Sequence, residues 1–183
     1  MNFSYSELYR NIAPIGHVLL LSIDYDPNKW IRVCNLQDCE RYASNDKEER
    51  EVLERIKFVY SKIFNGEVVG YLSTYDTPLK EIPNKWINSL NLNYFGKFDI
   101  STEGNDEKYY VTTYSFKVTS YESLPKQMFT DIAHDDIYTA LSFFSPENGN
   151  VFAPYDGGVD LIINNSESFT NLESCFKLGE FDS

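Results

Sequence analysis

The sequence predicts a mixed α+β fold, with helices packed on a mainly antiparallel sheet in a single domain over residues 1–183. Three observations predict this class. One long segment repeats its apolar residues at helical spacing. Several short segments are rich in β-branched and aromatic residues, and turn residues separate them. A chain of 183 residues fits one domain.

The first half of the chain is predicted to mix short helices, strands and one long helix. Ser4 and Glu7 form a capping-box pattern that begins a short helix, which extends to about Asn11 and ends before Pro14. The long helix begins after Asn45 or Asp46, and its apolar stripe consists of Val52, Ile56, Val59 and Ile63. The other predicted elements are a hairpin of strands 16–23 and 30–35, a strand at 67–75 and a short helix at 84–90.

The second half is predicted to be richer in strands. Strands 94–102 and 109–120 are separated by the acidic turn 103–107. A helix is predicted at 124–133, and a last helix begins at Ser166 and extends to about Lys177. Between these helices, turn residues at 145–150 and 155–158 connect three further strands at 137–144, 151–152 and 159–163.

The net charge of −12 is unevenly distributed along the chain. Residues 1–91 carry 13 acidic and 11 basic side chains, whereas residues 92–183 carry 15 and 5. Such a charge repels phosphate backbones and anionic membranes and attracts cationic partners. We therefore expect a protein partner, with neither nucleic acid nor a membrane.

The location of the protein is predicted from its apolar segments and cysteines. No apolar run reaches the roughly 20 residues that a membrane span needs, and the N-terminus has no signal-peptide pattern. Three cysteines, an odd number, predict reduced thiols. These observations favour a cytoplasmic protein.

Residues with catalytic potential are few. His17 lies in an apolar segment and is interpreted as structural. His134 is followed by Asp135 and Asp136, which could form a metal site or a base, although a solvated acidic turn is the simpler interpretation. Phosphate loops, nucleophile elbows and zinc-binding cysteine spacings are absent. We therefore expect no enzymatic activity, metal or cofactor.

The segment Tyr155-Asp-Gly-Gly158 predicts a tight turn, since glycine readily adopts the required backbone angles. Asp156 lies in this turn and Asp160 follows it. Both could bind a cation or receive a basic side chain. Alternatively, Asp156 accepts hydrogen bonds from its own turn backbone.

The segment 144–162, which contains Pro154-Tyr-Asp-Gly-Gly-Val-Asp-Leu-Ile162, resembles small bacterial proteins of unknown function. Over its whole length the chain resembles, in size and acidity, the immunity proteins of contact-dependent inhibition and related polymorphic toxin systems. Such proteins are small, acidic and cytoplasmic, and they neutralise a cognate toxin domain that is often a basic nuclease. The resemblance implies an inhibitor that blocks a toxin's active site.

The main hypothesis is therefore an acidic binder of a basic toxin, with exposed tyrosines as anchors. Its predicted contacts are three acidic groups: Glu103, Asp106 and Glu107; Asp135 and Asp136; and Asp156 and Asp160. Two alternatives stay open. One is a metal-dependent enzyme that uses His134 and nearby aspartates, and the other is a mimic of nucleic acid.

Overall fold

The computed structural model describes residues 2–9, 14, 29–36, 40, 42–76, 79–82, 85–101, 108–134 and 139–164. Its centre is an antiparallel seven-stranded sheet with the order β1-β7-β6-β5-β2-β4-β3. The strands are β1 (Trp30–Cys34), β2 (Val68–Tyr75), β3 (Asn93–Asp99), β4 (Tyr110–Val118), β5 (Thr139–Phe144), β6 (Val151–Tyr155) and β7 (Gly158–Ile162). The helices are α1 (Tyr5–Leu8), α2 (Asp46–Ile63) and α3 (Lys126–Ala133), with 3₁₀ turns at Leu79–Glu81, Lys85–Ser89 and Tyr121–Ser123. The predicted α+β class is confirmed.

Helix α2 forms where its sequence pattern predicts. Asn45 is the N-cap, and its side-chain oxygen accepts hydrogen bonds from the backbone N–H groups of Lys47 and Glu48 at 3.0 and 3.1 Å. The Glu48 carboxylate in turn accepts the N–H of Ser44 at 2.6 Å. These bonds satisfy donors that the first turn of a helix leaves unpaired. The buried stripe consists of Val52, Ile56, Val59, Tyr60 and Ile63.

Replacing Asn45 by alanine is expected to lower the free energy of unfolding by about 1 kcal/mol, because two first-turn N–H groups lose their acceptor. Urea denaturation followed by circular dichroism would measure the change. Asn45→Ser is the matched control, since serine is also a good N-cap and should restore most of the stability. An alanine variant as stable as the wild type would contradict this role.

The two sides of the sheet are covered differently. On one side, Leu72, Leu141 and Phe143 belong to the same apolar core as the α2 stripe and α3 residues such as Phe129. On the other side, Tyr5 of α1 packs with a second cluster made of Tyr71, Phe144, Val151 and Ile162. We call these the α2 side and the α1 side. Because directly paired residues of antiparallel strands point to the same side, the strand registers assign every other strand residue to one of them.

Several predicted elements differ from the structure. Helix α1 ends at Leu8 rather than near Asn11, and Ser4 makes no side-chain capping bond. Strand β1 pairs with β7, from Trp30 opposite Ile162 to Cys34 opposite Gly158. The predicted strand 16–23 and the helix from Ser166 lie outside the described residues. The long-range pairing with β7 could not be predicted from local turn signals.

Cys34 takes part in a disulfide bond whose second sulfur lies outside the described residues. The prediction of reduced thiols is therefore wrong for this cysteine. No helix in the described part of the chain is long and apolar enough to cross a membrane.

The buried tyrosines predict a loss of stability in alkali. Burial raises the pKa of Tyr71 to about 12, and it also raises the pKa of Tyr5 and Tyr60. An unfolded tyrosine ionises near pH 10, so the unfolded chain loses protons at a lower pH than the folded one. The contribution of these groups is complete below about pH 10 and is lost as the pH rises towards about 12.

We therefore expect the melting temperature to fall steeply above about pH 10, with the tyrosinate absorbance of the buried rings rising together with unfolding. Tyr71→Phe should make this fall less steep, whereas Tyr94→Phe, at a position 68% exposed, should leave it unchanged. Melts between pH 7 and 11.5 would test this. Ionisation of all the tyrosines well before unfolding would contradict it.

Candidate partner-binding surface

Strands β3 and β4 carry an exposed aromatic surface at one end of the sheet. Tyr94 of β3 is 68% exposed and pairs across the strands with Tyr114 of β4, and their ring centres lie 6.3 Å apart. Tyr114 in turn pairs with Leu72 of β2, so both rings belong to the α2 side. We define the β3–β4 surface as Tyr94, Lys97, Asp99, Tyr110 and Tyr114.

The register explains why these residues share a face. Lys97 pairs with Thr112, and Asp99 pairs with Tyr110. Thr112 and Tyr110 precede Tyr114 in β4 by two and four residues, so they lie on the same side of the sheet as Tyr114. Their partners Lys97 and Asp99 lie on that side too. The register shifts between Tyr94 and Gly96, which is a β-bulge. The result is a nearly continuous stripe of aromatic and charged side chains.

Charges within this surface are locally organised. The Lys97 ammonium lies 4.7 Å from the ring centre of Tyr110 and 3.8 Å from the carboxylate of Asp76, an exposed residue that follows β2. Hydrogen bonds from the side chain and the backbone N–H of Ser101 hold the pKa of Asp99 below its usual range. The carboxylate of Asp99 therefore stays ionised at neutral pH and contributes a fixed negative charge.

The predicted acidic turn connects the two strands of this surface. Glu103, Asp106 and Glu107 lie outside the described residues. The chain on either side of them is held, since Ile100 donates its N–H to the Tyr109 carbonyl at 2.9 Å and Tyr109 donates to the Ser101 hydroxyl at 2.8 Å. Tyr109 is itself 46% exposed. The role of the three acids in binding stays a prediction.

Asp160 lies in β7 on the α1 side and is 1% exposed. Its two oxygens accept hydrogen bonds from the Arg32 guanidinium at 2.8 and 2.9 Å, and one of them also accepts the indole N–H of Trp30 at 3.2 Å. The guanidinium carbon lies 5.3 Å from the ring centre of Trp30 and 5.1 Å from that of Tyr155. Asp160 thus receives an arginine from its own chain, whereas the sequence left open whether it would bind a cation or receive a basic side chain.

Asp156 occupies the turn between β6 and β7 and is 9% exposed. The hydroxyl of Tyr42 donates to its carboxylate at 3.1 Å. Asp156 and Asp160 are therefore close together on one hairpin, where both make contacts within the chain. Asp160 in particular is not open to a partner's cation while its bonds to Arg32 are intact.

The structure describes Asp156 and Asp160 but none of Glu103, Asp106 and Glu107. The β6–β7 hairpin and β3 lie near opposite ends of the strand order. Strands β7 and β3 are five steps apart, which corresponds to roughly 24 Å at the usual spacing between strands. Asp156 and Asp160 therefore lie far from the β3–β4 surface.

His134 follows the last residue of α3, and its Nε2 lies 3.5 Å from the Glu49 carboxylate of α2. Asp135 and Asp136 lie outside the described residues. Within the described ranges, no three His, Cys, Asp or Glu side chains are grouped so that they could hold a metal ion.

A groove of about 270 Å³ lies beside α2 and α3. Its lining is mainly apolar and includes Leu53, Leu124 and Phe129, while Lys57 and Glu122 form an ion pair at 3.1 Å beside it. Neither the groove nor the Arg32–Asp160 pair was predicted. The sequence shows that Trp30 and Arg32 are two residues apart and so share a face of their strand. It does not show that this strand pairs with β7.

The structure thus defines a domain with an antiparallel sheet, an exposed aromatic edge and an internally paired β6–β7 hairpin. Its sequence matches the family model "Domain of unknown function (DUF3885)" over residues 23–177, so the chain belongs to this family. No curated protein and no solved structure matches the chain.

Proposed function

We propose that this protein binds a basic protein partner through its β3–β4 surface and acts as an immunity protein that blocks the active site of a cognate toxin. The observation that carries the proposal is Tyr94, 68% exposed on the last strand of the sheet, next to Tyr114 and on the strand that leads into the acidic segment 103–107.

An exposed tyrosine pair favours a protein interface on physical grounds. Tyrosine has a large apolar ring, a polar tip and few rotatable bonds, so it contributes contact area at a low cost in conformational entropy. Interfaces are accordingly enriched in tyrosine. The contact between Tyr94 and Tyr114 further restricts both rings before a partner arrives.

The charge of the chain favours a basic partner. The net charge is −12, and 15 of its 28 acidic residues lie in residues 92–183. The electrostatic field of such a negative charge raises the association rate of a cationic partner and repels an anionic one. An aromatic anchor on a chain of net negative charge is suited to a basic protein surface, such as the substrate-binding face of a nuclease.

The proposal includes a cytoplasmic location, where an immunity protein meets its toxin. Cytoplasmic thiols are normally kept reduced, so the disulfide of Cys34 is unusual for that compartment. Separation of cells into cytoplasmic and envelope fractions should recover the protein in the cytoplasmic fraction. Recovery from an oxidising compartment would contradict this part of the proposal.

The function is tested by co-expression with the protein domains encoded beside its gene. We expect at least one such domain to arrest growth when expressed alone, and this chain to restore growth and form a stoichiometric complex with it. The association rate constant should fall at least tenfold between 50 and 500 mM NaCl, while the dissociation rate changes much less. Absence of a growth-arresting neighbour, or rescue without a complex, would overturn the immunity proposal.

Tyr94→Ala locates the surface in the same assay. We expect this variant to weaken the complex by a factor of about 30 or more, which corresponds to about 2 kcal/mol. Leu8→Ala is the matched control, since Leu8 is also an exposed apolar side chain (41%) but belongs to α1. Equal affinities of both variants and the wild type would remove the β3–β4 surface from the proposal.

A further inference from the structure

The outer edge of β3 presents backbone groups that the described strands do not pair. Strand β3 is the last in the strand order, and β4 is its one neighbour among the described strands. The N–H of Ile100 points towards β4, where it donates to the Tyr109 carbonyl. Because backbone groups alternate direction along a strand, Phe98 also faces β4, and Lys97 and Asp99 direct their N–H and C=O groups outward.

The exposure of the side chains agrees with an open edge. Tyr94, Lys97 and Asp99 are all exposed, and Phe95 and Phe98 are partly buried on the α1 side. The bulge precedes Gly96, so Gly96 to Asp99 pair with β4 in regular register. An approaching strand could therefore form about four backbone hydrogen bonds with Lys97 and Asp99.

Charge decides which occupant fits this edge. Two copies of a chain with a net charge of −12 repel each other, which disfavours a second copy at this edge. An extended segment rich in lysine or arginine would instead be attracted by Asp99 and by the net negative charge of the chain.

We propose that β3 is a site of strand addition, at which an extended cationic segment of a protein partner extends the sheet. This inference rests on the proposed function and names its binding mode. Lys97 and Asp99 supply the backbone hydrogen bonds. The exposed ring of Tyr94 packs against the apolar parts of the added strand.

The first test uses a defined probe, a fluorescein-labelled decapeptide of alternating lysine and valine. Its two controls are the same peptide with alternate backbone nitrogens methylated, and a decapeptide of alternating glutamate and valine. We expect the lysine peptide to bind at least tenfold more tightly than either control in fluorescence anisotropy at 50 mM NaCl. Amide hydrogen exchange should slow at Lys97 and Asp99 when it binds. Equal binding by the methylated peptide, or slowing confined to other strands, would overturn the proposal.

The second test changes the edge itself. Lys97→Pro removes an outward N–H group that β4 does not use, while Lys97→Ala keeps that N–H and removes the charged side chain. We expect the proline variant to lose at least tenfold in affinity for the lysine peptide, and the alanine variant to bind at least as tightly as the wild type because a like charge has been removed. Should the proline variant not fold, the hydrogen-exchange measurement on the wild type decides the question. Unchanged binding by a folded proline variant would overturn the proposal.

Self-association is a separate outcome. A dimer in sedimentation velocity at 100 µM that becomes monomeric in Lys97→Pro would show that a second copy occupies the edge, and would overturn the cationic partner. The peptide experiment tests strand addition and the co-expression experiment tests the immunity function, so a negative result in one does not decide the other. Rescue of growth without edge binding leaves the immunity function and removes strand addition, whereas edge binding without rescue does the reverse.

Discussion

Replacing Gly158 by alanine is expected to lower the free energy of unfolding by about 3 kcal/mol. A Cβ atom at this position would lie 2.1 Å from the backbone carbonyl oxygen of Val33 in β1. Since the oxygen belongs to a paired strand, no rotamer change can relieve the overlap, and β1 would have to move away from β7. The absence of a side chain at Gly158 therefore permits the close approach of these two strands.

Gly96→Ala is the matched control for this prediction. The new Cβ would lie 3.1 Å from the ring of Phe98, a side chain that can shift by a few tenths of an ångström. We expect a change below about 1 kcal/mol at this position. Urea denaturation of both variants would compare them. Similar losses in the two variants would show that a general effect of alanine, rather than the Val33 carbonyl, limits position 158.

Breaking the pair of Arg32 and Asp160 is the second change with a large expected effect. Arg32→Met would leave a carboxylate that is 1% exposed with the indole N–H of Trp30 as its donor. We expect a loss of about 3 kcal/mol, because an unpaired buried charge retains its desolvation penalty. Asp160→Asn should cost less, since Arg32 is 46% exposed and water can solvate its guanidinium.

A double-mutant cycle measures the coupling between the two side chains. With Arg32→Met, Asp160→Asn and the double variant, we expect a coupling energy of about 1–3 kcal/mol. The control cycle is Lys57→Met with Glu122→Gln, an ion pair whose side chains are 56% and 66% exposed. Exposed pairs couple by at most about 1 kcal/mol, so the two cycles should differ clearly. A coupling near zero for Arg32 and Asp160 would mean that the pair contributes nothing beyond its separate contacts.

Local signals in the sequence predicted much of the secondary structure. The stripe and N-cap of α2 lie within one segment, as do the alternation in β4 and the glycines between β6 and β7. These features depend on neighbours a few residues apart, so periodicity and turn chemistry are sufficient to find them. The class of the fold followed from their order.

The candidate site was harder to predict because it depends on distant pairings. Arg32 and Asp160 are 128 residues apart, and nothing local indicates that β1 lies beside β7. Without that pairing, Asp160 resembles a surface acid rather than the buried partner of an arginine. The same limit applies to Tyr94, whose exposure follows from the position of β3 at the end of the sheet rather than from its own segment.

The two tryptophans of the chain divide between the two sides of the sheet. Trp30 packs with the α1 cluster and touches Asp160, while Trp86 belongs to the α2 core and donates its indole N–H to Asp131 at 2.7 Å. Trp86→Phe would therefore leave an intrinsic fluorophore at the junction of β1 and β7, and Trp30→Phe would leave one in the helical layer. Emission spectra of these two variants during denaturation would show whether the layers unfold together or in succession, with no external label.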